Sequence, residues 1–287
     1  QGYSSAASDV YKRQLLQKPE LLPVLVIAES EAESQRLSND INMMYGAGTA
    51  LLYPAKELLL GDFEAASREY EHKRIFALSA MLDGTCKAVI CSPEAAAQLT
   101  IPPEELKQRT ITLSADMEIS QDDIVKRLLA AGYSRCDLIE GAGQFSVRGG
   151  IIDIFPLTEE NPFRIELWDD EVDSIRSFDA ESQRSIENLD EVHIYPACEL
   201  VLTKEERDAG IARILAEAKQ VSEKLRGEMK TEEAYRVKSA ADQVAEEAGE
   251  LGLSAGLDAY LSYFCEERVS LLDYFGKQDT LVFLDET

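Results

Sequence analysis

The chain has 287 residues, 45% of them apolar, which is ordinary for a globular protein and long enough for more than one compact core. Its formal charge of -25 argues against a free-standing nucleic-acid binder, which needs a basic face to displace counterions from phosphate, and favours a protein partner or simply a well-solvated surface. The longest apolar runs, Leu21–Ala28 and Gly149–Phe155, are too short for a membrane span; the five scattered cysteines and two histidines lack disulfide-framework or metal spacing, so a reducing cytoplasm is expected.

Residues 1–14, QGYSSAASDVYKRQ, begin without Met, lack the patterning of the rest of the chain and resemble a translated adapter tail; they are read as an artefact or disordered tail. PVLVIA (23–28) is a Val- and Ile-rich run with the pattern of a strand buried on both faces of a parallel sheet. A helix is predicted over 30–44, with Ser30 as N-cap, Glu33 at capping-box spacing, and Leu37, Ile41 and Met44 as its apolar stripe. Strand (50–54), a helix ending at Gly84 (63–84) and a buried strand (87–93) come next, an α/β alternation. Two prolines at 102–103 lead out of this layer to a strand over 110–117 and a helix over 121–133. From 136 to 200 apolar residues alternate with polar ones between turns, which predicts an antiparallel sheet with one solvated face. Helix resumes at 203–227, opened by a Thr203–Glu206 capping box and stopped at Gly227, and dominates to about 275, before a terminal apolar strand tipped by Asp285 and Glu286. The expected domains are 15–115 (α/β), 116–205 (mostly antiparallel α+β) and 206–287 (mostly helical), with a longer protein expected beyond the abrupt end.

Nucleotide chemistry would need a GxxxxGK[ST] loop whose backbone N–H groups cradle phosphate. The one Gly-Lys pair, Gly276-Lys277, is followed by Gln278 and has Leu271 where the first loop glycine belongs. Asp285-Glu286 looks like a Mg²⁺-holding strand end, but without a phosphate loop it has nothing to act on. The acidic pairs Asp122-Asp123 and Glu159-Glu160 and the run Asp169–Glu171 read as solvated turns or helix starts. No catalytic residue, cofactor or metal ligand is expected.

The more informative stretch is NPFRIELWDDEVDSIRSFD (161–179). On a strand over 163–168, Phe163, Ile165 and Leu167 face the core while Arg164, Glu166 and Trp168 share the other side. Trp168 is the only tryptophan, and residues 116–200 hold 20 acidic side chains against 7 lysines and arginines, so an arginine here is a minority charge suited to a specific anchor. The alternative is that a helix covers Trp168 and Arg164 pairs with a local carboxylate. In QFSVRGG (144–150) the same parity turns Phe145 and Val147 inward and Ser146 and Arg148 outward, with two glycines permitting a bulge or sharp bend.

Residues 132–185, from GYSRCDLIEGAGQFSVRGGIIDIFP through NPFRIELWDDEVDSIRSFDAESQRS, resemble the domain shared by the transcription-repair coupling factors and the excinuclease subunit UvrB, and the resemblance extends over about 15–287. It implies a degenerate RecA-like, P-loop-NTPase-derived α/β domain, an inserted UvrA-binding domain and a helical C-terminal part. It further implies docking on UvrA through two arginines and an aromatic, carried over to Arg148, Arg164 and Trp168, the last in place of a more usual Phe. The coupling factor fits better than UvrB, whose phosphate loop and tyrosine-rich hairpin are missing from 15–110. The alternative is the front half of a UvrB-type subunit or helicase whose ATP site is completed by upstream sequence. On the first reading this region is a non-catalytic, cytoplasmic, monomeric module. ATP, Mg²⁺, RNA polymerase and double-stranded DNA are then engaged only by motor and polymerase-binding domains beyond Thr287.

Overall fold

The computed structural model describes residues 23–56, 68–250, 260–264, 269–275 and 282–285. The chain divides into two compact units. Of the described residues, the first gathers those up to Lys56, Glu69–Glu104 and those from Val269 onward; the second is built mainly from those within Glu105–Arg268. Residues 1–14, the Gly276–Gln278 stretch and Glu286 lie outside the described residues.

In the first unit β1 (Val24–Ala28), β2 (Ala50–Leu52), β3 (Ala88–Cys91) and β12 (Val282–Asp285) form a parallel sheet in the order β12-β1-β3-β2. All four residues of β3 are buried, and so are four of the five in β1, as expected for strands covered on both faces. α1 (Glu31–Tyr45) starts where the Ser30 hydroxyl accepts the Glu33 N–H at 3.3 Å. Leu37 and Ile41 pack on the sheet as predicted, but Met44 is exposed and Tyr45 takes its place against the core. α2 (Arg68–Leu82) gives way to Gly84 at positive φ, and α3 (Pro93–Ala97) comes directly after β3. The terminal strand, expected to close the helical third region, instead pairs with β1, giving that strand neighbours on both edges.

The second unit begins in α4 (Pro103–Arg109) and β4 (Ile111–Ser114). β4 pairs antiparallel with β11 (Glu191–Ile194), so the strand expected to end the first domain belongs to the second. Between them lie α5 (Gln121–Ala130) and a six-stranded sheet in the order β10-β9-β8-β7-β6-β5. Its strands are β5 (Ser134–Arg135), β6 (Gln144–Arg148), β7 (Ile151–Phe155), β8 (Phe163–Trp168), β9 (Glu171–Phe178) and β10 (Ser185–Leu189). All neighbours run antiparallel except β5 and β6. One face is the core: Phe145, Ile152, Ile154, Ile165 and Ile175 pack with Ile124 and Leu128 of α5. The alternating sequence produces this directly, because successive side chains leave a strand on opposite faces.

α6 (Lys204–Gly227) opens with the predicted capping box, both of its hydrogen bonds present. Glu206 also meets Arg109 at 3.1 Å. Burial pushes the Glu206 carboxyl upward, but the Thr203 N–H and the Arg109 charge outweigh it and the net shift is downward. Gly227 is still helical; the turn is completed by Met229 at φ 64°, before α7 (Thr231–Glu250).

Candidate functional site

The non-core face of the six-stranded sheet carries the residues singled out by parity. Arg148 ends β6 at a two-residue hairpin, Gly149-Gly150, across which it pairs with Ile151. Gly149 has φ +60°, the conformation a II′-type turn requires of its first residue. Gly150 meets a different demand: a Cβ there would lie 2.8 Å from the Leu167 carbonyl oxygen, because the Leu167 N–H donates to the Gly150 oxygen at 2.8 Å. Of the two expectations for the glycine pair, a bulge or a sharp bend, the sharp bend is realised, as a tight hairpin pressed against β8. Gln121 Nε2 donates to the Gly149 oxygen at 2.6 Å and ties its tip to the start of α5.

Register then aligns Ser146, Asp153, Arg164 and Arg176 in one row across β6, β7, β8 and β9. Asp153, only 1% exposed, is the centre of this row. Its Oδ1 accepts from Arg164 Nε at 2.6 Å; its Oδ2 accepts from Arg164 Nη2 at 2.9 Å and from Arg148 Nη2 at 2.7 Å. Arg164 Nη2 also donates to Gln183 Oε1 at 2.9 Å, and its guanidinium lies 4.3 Å from the Phe178 ring centroid. The hydrogen bond to Asp153, opposed by burial and aided by the charges of Asp153 and Glu166, raises the Arg164 pKa further, so the residue stays a cation. Glu166, which shares the adjoining row with Ser174 and accepts from its Oγ at 3.1 Å, also pairs with Arg176 of the first row.

The three predicted residues thus share a face but not an environment. Trp168 is 81% exposed at the end of β8, next to Asp169 at φ 57° in the hairpin turn, and among the described residues no helix covers it. Arg148 is half-exposed, its side chain at 49%. Arg164, expected to stand outward, has a side chain only 13% exposed, because it is folded onto Asp153 and Phe178. The alternative reading is therefore met in one half: Arg164 pairs with a local carboxylate while Trp168 stays open. Asp153 went unrecognised in the sequence, although a lone acid in the apolar run IIDIF, on the parity of the opposing arginines, was the available signal.

Among the described residues no group of three or more His, Cys, Asp or Glu side chains could hold a metal ion, and no helix is long and apolar enough to cross a membrane. Burial pushes the Cys86 and Cys91 thiols up to about 11 and about 12, so neither is poised as a nucleophile.

Comparison with known proteins bears on this same sheet. A family model described as "UvrB interaction domain" matches residues 111–200, from the start of β4 through the end of the six-stranded sheet and β11. Residues 111–200 are a UvrB interaction domain. Around it, the chain is 36% identical over 286 residues to the transcription-repair-coupling factor of Bacillus subtilis (strain 168), covering 99% of this chain and 24% of that protein. The Staphylococcus aureus (strain Mu50) transcription-repair-coupling factor is 35% identical over 182 residues, 63% of this chain and 16% of the relative. UvrABC system protein B of Methanosphaera stadtmanae is 38% identical over 190 residues, 64% of this chain and 29% of the relative. The chain is similar to an N-terminal region of the coupling factors and spans about a quarter of the length of the Bacillus relative. The UvrB interaction domain contains Arg148, Asp153, Arg164 and Trp168 together.

Proposed function

We propose that the UvrB interaction domain docks onto UvrA through the sheet face of Arg148, Arg164 and Trp168, and so brings nucleotide excision repair to a stalled RNA polymerase. The observation that carries this is Trp168: a large indole left 81% exposed at a hairpin end, on the face where two guanidiniums converge on one buried carboxylate. Trp and Arg dominate binding hot spots, because they combine a broad contact surface with directional donors. The strongly acidic surroundings fit a few arginines that select acidic groups on a protein, charge contributing specificity more than affinity.

On this reading the region is a non-catalytic, monomeric, cytoplasmic module that needs no cofactor. The parallel-sheet unit is a degenerate RecA-like domain. The ATP-driven DNA translocation, and the contacts with ATP, Mg²⁺, RNA polymerase and double-stranded DNA, belong to other parts of the whole protein.

The test is titration with purified UvrA. Trp168→Ala is expected to weaken binding by about 2 kcal/mol or more, roughly thirtyfold. Because Trp168 is the sole tryptophan, its emission should shift to the blue as UvrA covers it, provided UvrA's own emission is subtracted. Equal affinity of wild type, Trp168→Ala and Arg148→Ala would refute the assignment.

A further inference from the structure

We infer that Asp153 is the positioning residue of this face: its buried carboxylate holds the Arg148 and Arg164 guanidiniums in the geometry in which they meet UvrA, without touching UvrA itself. The inference rests on the docking reading and deepens it.

Asp153 stands between Ile152 and Ile154, both buried in the core, and at 1% exposure it is out of a partner's reach. An isolated carboxylate at such a site would be strongly disfavoured as an anion. Three hydrogen bonds from two guanidiniums, all 2.6–2.9 Å, compensate it and use both of its oxygens. The two arginines are held unequally. Arg164 gives Nε and Nη2 to Asp153, shares Nη2 with Gln183 and lies over Phe178, so its rotamer is over-determined. Arg148 is engaged through Nη2 alone and is half-exposed, so most of its donor fork stays available to a partner.

The charge count points the same way. Two cations on one anion leave the cluster net positive within a domain that is otherwise strongly acidic. Arg148 and Arg164 stand on β6 and β8 in different rows, so it is the shared carboxylate on β7 that makes their guanidiniums converge; without it Arg148 would recover the rotamer freedom of a long surface side chain. Fixing it beforehand removes that ordering cost from association.

The experiment uses the whole 287-residue chain, purified UvrA as the probe, and a double-mutant cycle. Asp153→Asn is expected to lower UvrA affinity about tenfold or more. Because its effect passes through the arginines, the loss in Asp153→Asn/Arg148→Ala falls well short of the product of the two single losses. An Asp153 that serves only the sheet would give independent losses that follow thermal stability. A spectroscopic arm starts from wild type, in which the Arg164 Nε–H resonance is protected from solvent exchange; Asp153→Asn removes that protection.

Wild-type affinity in Asp153→Asn while Arg148→Ala binds weakly would overturn the inference and leave the docking reading intact. Independent losses, or an unprotected Arg164 Nε–H in wild type, would also overturn it. Absence of UvrA binding by the wild-type chain would overturn the docking reading itself and the inference with it.

Discussion

The parallel sheet of the first unit and the six-stranded sheet of the second spend their side chains differently. In β1 and β3 nearly every side chain is buried and apolar, so both faces of those strands are committed to packing. In β6, β7 and β8 only alternate residues enter the core, and the other face carries Arg148, Asp153, Arg164, Glu166 and Trp168. A sheet buried on both sides offers a partner only its strand ends and connecting loops. One buried on a single side has a whole face on which charges can be organised.

The contrast can be broken by substitution. Arg164→Ala should be the most damaging single change on the polar face, because it strips Asp153 of two of its three donors and leaves a buried charge under-compensated, a loss of about 3–5 kcal/mol. Ile90→Ala in β3 should cost about 2–5 kcal/mol, through lost burial and the cavity left behind. Urea unfolding, with hydrogen exchange of the β3 and β8 amides to place each loss, would measure both. If Arg164→Ala proved neutral, the polar face would be a solvated surface and the contrast would fail.

A smaller effect is expected at the start of α6. Thr203→Ala removes the hydroxyl that accepts the Glu206 N–H and should cost about 1 kcal/mol. Glu206 adds a pH dependence whose sign is set by its lowered pKa. A depressed carboxylate contributes stability that is present above its unfolded value, near 4.5, and is lost as pH falls through the lower folded value. Thermal melts of wild type and Glu206→Gln should therefore converge as the pH is taken below about 4.5 and stay apart near neutrality.

The smallest effect sharpens the comparison between the sheets. Alkylation at neutral pH, followed by peptide mapping, should label the half-buried Cys136 before Cys86 or Cys91, since both of the latter are buried and their thiols are pushed to about 11 and about 12. Burial raises the Cys136 pKa too, with the charges of Asp137 and Glu140 adding to it, so even that reaction should be slow.

Several features were legible without the fold because each depends on neighbouring residues alone. The apolar runs of β1 and β3, the alternation of β8, the caps at Ser30 and Thr203, and the side of the strand on which Trp168 lies all rest on local periodicity or local hydrogen bonding. The Arg-Gly-Gly sequence announced a turn, and Gly149 supplies its positive φ. The approach of Leu167 that makes Gly150 necessary comes from a strand distant in sequence.

What the sequence by itself determined, then, was which residues leave the core: Arg148, Arg164 and Trp168 all emerge on the second face of the antiparallel sheet. Only the tertiary structure decided what they meet there. Pairing register laid Asp153 between the two arginines, brought Gln183 and Phe178 onto Arg164, and left Trp168 bare. It also joined the last strand to β1 and β4 to β11, across more than 250 and some 80 residues of chain respectively. Parity is a property of one strand and can be counted along it. Register and long-range pairing depend on the other strands, where cross-strand distances of a few ångströms choose which charges become partners.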